Sequence, residues 1–126
     1  MKKVFVIGEY SSKANYRKYL KIIRKLEKNY SVLSMIDNAK GEDEFKYHFR
    51  DLEEVEKADY VVAYIPSSLS SVNASFLAGW AKALNKPILV ISSKYSSGTI
   101  LNCVAKVINY QDDISDKTFI NIEDYI

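Results

Sequence analysis

The sequence predicts an α/β fold, a three-layer sandwich around one five-stranded parallel sheet. Three observations lead there. The runs VFVIG at 4–8, YVVAYI at 60–65 and ILVI at 88–91 are almost wholly apolar, the pattern of strands covered on both faces. The segments between them carry apolar side chains every three or four residues, the period of helices with one buried stripe. A length of 126 residues fits one domain, 1–126, with enough chain to bury a core without disulfides.

Taken in order, Lys3 to Gly8 is the first strand. Ser12 to Asn29 is a helix whose stripe is Tyr16, Tyr19, Leu20, Ile23 and Leu26. Ser31 to Ile36 returns to strand character, and the polar, glycine-containing stretch Asp37 to Asp43 reads as a loop. Phe45, Phe49, Leu52 and Val55 mark a second helix. Asp59 to Ile65 is a strand that Pro66 stops. Asn73 to Asn85 is a third helix, after which Pro87 opens the strand Ile88 to Ile91. Gly98 to Ile108 is expected as a fourth helix and Thr118 to Ile122 as the last strand. Right-handed crossovers and the flavodoxin-like strand order 2-1-3-4-5 then put a switch point between the first and third strands. No repeat, linker or low-complexity segment breaks this alternation.

Composition narrows the function classes. At 48% hydrophobic and 27% charged residues, the chain is of the ordinary globular kind, and no apolar run is long enough for a membrane span. MKKVFVIGEY reads as a first strand rather than a secretory signal. One cysteine, Cys103, excludes an internal disulfide and argues against a cysteine-based zinc site. A cytoplasmic location, no metal and no cofactor are the resulting expectations. A net charge of +2 does not argue for nucleic acid. Basic residues gather between Lys13 and Lys28 and acidic ones between Glu42 and Glu56, as two solvated helix faces or as an interface between copies.

In an open parallel sheet, ligands bind in the crevice outside the carboxyl ends of the strands. The loops Gly8 to Lys13 and Pro66 to Asn73 should therefore flank one pocket. Ser67, Ser68, Ser70, Ser71, Asn73 and Ser75 crowd the amino end of the third helix, where free N–H groups and the helix dipole favour an anion. Gly8, Ser11, Ser12 and Arg17 face them from the first strand, loop and helix. Serines equally make turns and cap helices. Tyr10 and Tyr64, at strand ends, are candidates to stack on a ring. Other tenants of this architecture fit poorly. A receiver domain needs an aspartate where the third strand here ends in Ala63, Tyr64 and Ile65, and the spaced-glycine fingerprint and Walker loop are absent. His48, the only histidine, has no nucleophile elbow to serve and reads as a surface or half-buried helix residue.

Several segments, in order, resemble the nucleoside 2-deoxyribosyltransferase superfamily, and within it the 2'-deoxynucleoside 5'-phosphate N-hydrolases. VFVIGEY is similar to the family's first strand and turn. Asp51-Leu52 followed by ADYVVA is similar to its acidic helix and third strand. FLAGWAKALNKPILV resembles its pattern of an aromatic residue, Glu-x-Gly-x-Ala, Ala-Leu-x-Lys-Pro and a strand, and SSGTILNCV resembles its Ser-Gly segment. The resemblance implies binding of a nucleoside or nucleotide, with N-glycosidic bond cleavage by a glutamate carboxylate acting on the anomeric carbon. That glutamate lies two residues before the helix glycine, here Gly79, so its position is held by Leu77. Leucine can neither attack nor stabilise a developing cation. Phe5 stands for a family tyrosine, Asn102 for a serine reaching a neighbouring subunit's site, and Asn73 and Ser75 for phosphate-loop glycines.

Three functions follow as expectations. The first is a nucleotide- or nucleoside-binding protein without standard N-glycosidase chemistry. The second is an active transferase or hydrolase using a displaced carboxylate, with Asp51, at a family aspartate position, and Glu9 as candidates. The third is a non-catalytic interaction module. A homodimer is expected because the resembled hydrolases complete each site with a partner subunit. Gly79, lacking a β-carbon, is expected to let the third helix approach the sheet closely.

Overall fold

The computed structural model of the protein describes residues 1–40, 44–66, 72–93 and 105–126; in the helix that begins at Glu44, side chains are described from Lys46 onward. The chain runs β1 (Lys3–Gly8), α1 (Lys13–Leu26), β2 (Ser31–Ser34), α2 (Met35–Ala39), α3 (Glu44–Lys57), β3 (Tyr60–Tyr64), α4 (Val72–Ala83), β4 (Ile88–Ser92) and β5 (Lys106–Asn109). A π-helical turn (Tyr110–Ile114) and a 3-10 turn (Ile122–Asp124) follow.

All five strands are parallel, in the order β2-β1-β3-β4-β5. Each strand alternates its side chains between the two faces. Val4 and Val6 of β1 pack with Tyr60, Val62 and Tyr64 of β3 beneath Tyr19, Ile22 and Leu26 of α1. Phe5 and Ile7 join Val61 and Ala63 on the opposite face, beneath Val55 of α3 and Ala74, Leu77, Ala78 and Ala81 of α4. A strand with both sets of side chains buried must be apolar throughout, which is why β1, β3 and β4 were legible.

The carboxyl-terminal part departs from the expectation. Lys106 to Ile108 belong to strand β5, not to a helix, and β5 pairs with β4 from Leu89↔Lys106 to Ser92↔Asn109. The remainder of the expected fourth helix, 98–104, lies outside the described residues. Thr118 to Ile122 is not a strand. Ile120 and Ile122 are buried on alternate positions as a strand would bury them, yet their N–H groups bond to the Lys25 carbonyl at 3.2 Å and the Tyr30 hydroxyl at 2.9 Å. The segment thus fastens onto α1 and the turn after it, where the Lys25 ammonium donates to the Ile114 and Ser115 carbonyls.

Two helices also differ. Met35 to Ala39 form α2, begun by a capping box in which Ser34 and Asp37 satisfy each other's backbone N–H groups. This replaces the end of the expected second strand and the start of the expected loop; 41–43 lie outside the described residues. In α1 the buried stripe is Tyr19, Ile22 and Leu26, with Tyr16 exposed. In α3, Phe49 is 64% exposed while Asp51 and Val55 are buried, so the inward face is turned from the one the aromatic spacing suggested.

Gly79 does not have the expected role. It is solvent-exposed, and a β-carbon built there meets nothing within 4 Å. The close approach is at Gly8, where a β-carbon would lie 2.9 Å from the Tyr64 carbonyl oxygen and 3.0 Å from its Cβ. Asn85 ends α4 in the left-handed region, φ 58°, with the Lys86 N–H reaching back to the Ala81 carbonyl, the six-to-one closure of a Schellman turn.

Candidate functional site

The switch point lies where β1 and β3 end side by side. Gly8 pairs with Tyr64, and the next residue closes the edge through Glu9 N–H to the Tyr64 carbonyl, 3.1 Å. The chain then turns. The Glu9 carboxylate accepts from the Ser11 N–H at 2.8 Å and from the Ser11 hydroxyl, so the loop fixes the direction of that carboxylate. Ser12 is occupied as the amino-terminal cap of α1, accepting from the Asn15 N–H at 3.1 Å.

Behind the loop, Tyr19 organises the floor. Its hydroxyl donates to the Val6 carbonyl and accepts from the Met35 N–H at 3.3 Å, while the Tyr10 ring lies flat on it at 5.3 Å. Met35 is held in turn by the Gly8 N–H, 3.4 Å from its sulfur. Over this floor opens a cavity of about 390 Å³ lined by Gly8, Glu9, Tyr10, Ser11, Met35, Tyr47, His48, Val72, Asn73 and Ala74, within the size range of small-molecule sites. A second cavity of about 170 Å³ shares His48 and Asn73 with it and is otherwise lined by Asp51, Leu52, Phe76 and Leu77.

Asp51 is the unusual residue here. It is 1% exposed. Its Oδ1 accepts from the Asn38 side-chain amide at 2.8 Å, whereas its Oδ2 is buried with no hydrogen-bond partner. The His48 ring nitrogen Nδ1 is 3.8 Å from Oδ2, too far for a hydrogen bond. Burial holds the Asp51 carboxyl above the usual aspartate range, partly offset by the Asn38 hydrogen bond and by His48. The Tyr10 phenol is likewise raised, by burial first and then by the negative charge of Asp51, by Tyr47 and by Glu9. Glu9 lines the larger cavity and Asp51 the smaller, and the two cavities share His48 and Asn73.

Of the residues expected from sequence, Gly8, Glu9, Tyr10, Ser11 and Asn73 come together in the larger cavity, and Asp51 and Leu77 meet in the smaller one. Arg17 and Ser75 are exposed and are not among the residues lining either cavity. Ser67, Ser68, Ser70, Ser71 and Asn102 lie outside the described residues. Tyr64 is corrected. It is fully buried on the α1 face, its hydroxyl donating to Asn15 at 2.9 Å, and burial, Tyr110 and Glu9 push its phenol up to about 12. It offers no ring face to a ligand.

Tyr47, His48, Met35 and Phe76 are lining residues beyond those expected from sequence. For two of them a signal existed. Tyr47 and His48 stand four and three residues before Asp51, on the same side of a helix, and their rings meet at 4.4 Å in an edge-to-face arrangement. Nothing in the local sequence marks Met35.

Among the described residues, no helix is long and apolar enough to cross a membrane, and no group of three or more His, Cys, Asp or Glu side chains is placed to hold a metal ion. No protein-family model and no curated protein matches the sequence. Solved structures do match the fold. A 2-deoxyribosyltransferase from Bacillus psychrosaccharolyticus superposes with a TM-score of 0.70 at 16% identity, covering 97% of this chain and 88% of its own. A CMP N-glycosidase from Clostridium botulinum gives 0.67 at 21% identity, covering 86% and 89%. A 2-deoxyribosyltransferase from Leishmania mexicana gives 0.63 at 16%, covering 96% and 79%. The chain has the fold these proteins share.

Proposed function

We propose that the chain is a member of the nucleoside 2-deoxyribosyltransferase superfamily whose cavity binds a nucleoside or nucleotide without the glutamate chemistry of that family. One observation carries the second half of this reading. Leu77, at the position matched to the family's catalytic glutamate, is 5% exposed and packs into the wall of the smaller cavity beside Asp51 and Phe76. An apolar side chain there supplies contact area and no carboxylate, and loss of a nucleophile removes several orders of magnitude in rate. The lining of the larger cavity supports a binding role: the Glu9 carboxylate, the Tyr10 and Tyr47 rings and the first turn of α4 all border it.

A second reading rests on the unpartnered Oδ2 of Asp51. A carboxyl that keeps its proton above the ordinary aspartate range is suited to protonating a departing base, so an active N-glycosidase with Asp51 as acid, and Glu9 as the displaced carboxylate, is the alternative. Both readings include a homodimer in the cytoplasm. Val72, Phe76 and Phe49, at 82%, 67% and 64% exposure, leave apolar surface on α3 and α4 for a second copy.

Titration calorimetry against a panel of nucleosides and nucleotides, with chromatography for free base, separates the readings. Binding without base release is expected, and Leu77→Glu is expected to gain base release. Turnover by the unaltered chain, abolished in Asp51→Asn or Glu9→Gln, would establish the alternative. Absence of binding to the whole panel would overturn both. Light scattering at high concentration is expected to give a dimer mass, and a monomer would refute that part.

A further inference from the structure

We propose that the cavity prefers a nucleoside without its phosphate, and that Glu9 is the residue that sets this preference. The inference deepens the binding function proposed above and rests on it. Glu9 lies at the exit of β1 and lines the larger cavity, and its carboxylate is held by two hydrogen bonds from Ser11. Asp51 adds a second acidic group next door, across the shared residues His48 and Asn73. No lysine or arginine is among the described residues lining either cavity.

The charges decide the sign. The first turn of α4, through Val72, Asn73 and Ala74, presents the positive end of a helix dipole to the same space, equivalent to about half a unit charge. Against it stands the full charge of Glu9, with Asp51 contributing whenever it is ionised. From these described groups a phosphate entering this space meets a repulsion of about tenfold in affinity for each of its charges at separations near 6 Å. A neutral nucleoside meets none. Its sugar hydroxyls are donors, and a fixed carboxylate is the acceptor that receives them with charge-assisted hydrogen bonds.

The test is titration calorimetry with the four common deoxynucleosides, the four ribonucleosides and the 5'-monophosphate of each, in one buffer at fixed ionic strength. The expected result is at least tenfold tighter binding of a nucleoside than of its own monophosphate. In Glu9→Gln, which keeps the amide oxygen as an acceptor for Ser11, the ratio is expected to narrow at least threefold through tighter monophosphate binding. A monophosphate bound as tightly as its nucleoside, or a ratio unmoved by Glu9→Gln, overturns the inference while leaving nucleotide binding intact. No binding of any of the compounds overturns the binding function and this inference with it.

Discussion

Replacing Asp51 by asparagine should make the protein more stable at neutral pH, and the gain should depend on pH in a defined direction. In the folded chain the Asp51 carboxyl is raised above its ordinary value of 3.8 because burial opposes the charged form more than Asn38 and His48 favour it. The unfolded chain does not share that penalty. Between the unfolded and folded values the native state therefore holds the extra proton, so stability falls as pH rises through that window. Below 3.8 both forms of position 51 are neutral. Each keeps an oxygen for the Asn38 amide, and the two proteins should agree within about 1 kcal/mol. Above the window the wild type carries the cost of a buried charge, and the variant carries no charge there. An advantage of about 1–3 kcal/mol at pH 7 is expected, the order of the penalty for a buried polar atom left without a partner, a melting shift of several degrees for a domain of this size. Urea unfolding of both proteins from pH 3 to pH 8, followed by circular dichroism, measures it, and taking the difference cancels every titration they share. A variant whose relative stability falls as pH rises would refute the reasoning, because it would mean that His48 stabilises the carboxylate more than burial destabilises it.

Three other substitutions test the packing. Gly8→Ala places a β-carbon against the Tyr64 backbone carbonyl, which cannot move without shifting β3, so a loss of about 1–3 kcal/mol is expected in urea unfolding. Gly79→Ala meets open space on an exposed helix face and should stabilise by about 0.5–1 kcal/mol through helix propensity, read as a rise in melting temperature. Lys25→Met removes the donor to the Ile114 and Ser115 carbonyls; a loss of about 1–3 kcal/mol is expected, with faster amide exchange from Ile114 to Ile120.

How much of this was legible in the sequence follows from what each element has to satisfy. Strands β1, β3 and β4 bury every side chain from Val4, Tyr60 and Ile88 onward, and that requirement is written as uninterrupted apolar runs. Strand β5 sits at the sheet edge with only Ile108 buried, so its four residues carry no comparable signal and merge into the preceding apolar segment. Ile120 and Ile122 alternate correctly, but alternation reports burial and not the partner of the backbone. In the site, the end of β1 was placed by topology alone. For Tyr64, a place at a strand end is not enough to put its ring in the site. Counting two from Tyr60 and Val62 puts its side chain on the α1 face, away from α4. The meaning of His48 depends on Asn38 and Leu77, whose neighbourhood arises only when α2, α3 and α4 pack together, so no local pattern alone marks it.

The wall that joins α3 to α4 bears on whether the crevice is a working site or a vestige. Asp51 and Leu77 line the same small cavity, and both are almost completely buried. Leu77 contributes packing of about 1.5–3 kcal/mol. Asp51 does the reverse, holding a buried oxygen without a partner, a state that costs about 1–3 kcal/mol and more when charged. A cavity with no ligand gains nothing from that oxygen, and an apolar residue at position 51 would fill the space more favourably. Retaining the acid beside Leu77 is reasonable if something supplies the missing donor. The ring N–H or exocyclic amine of a base is such a donor, and its arrival would convert the penalty into binding energy. The stability gain expected for Asp51→Asn and the loss of ligand affinity expected for the same variant are thus two measurements of one atom. A variant that gained stability and bound as tightly as the wild type would leave Oδ2 without a function.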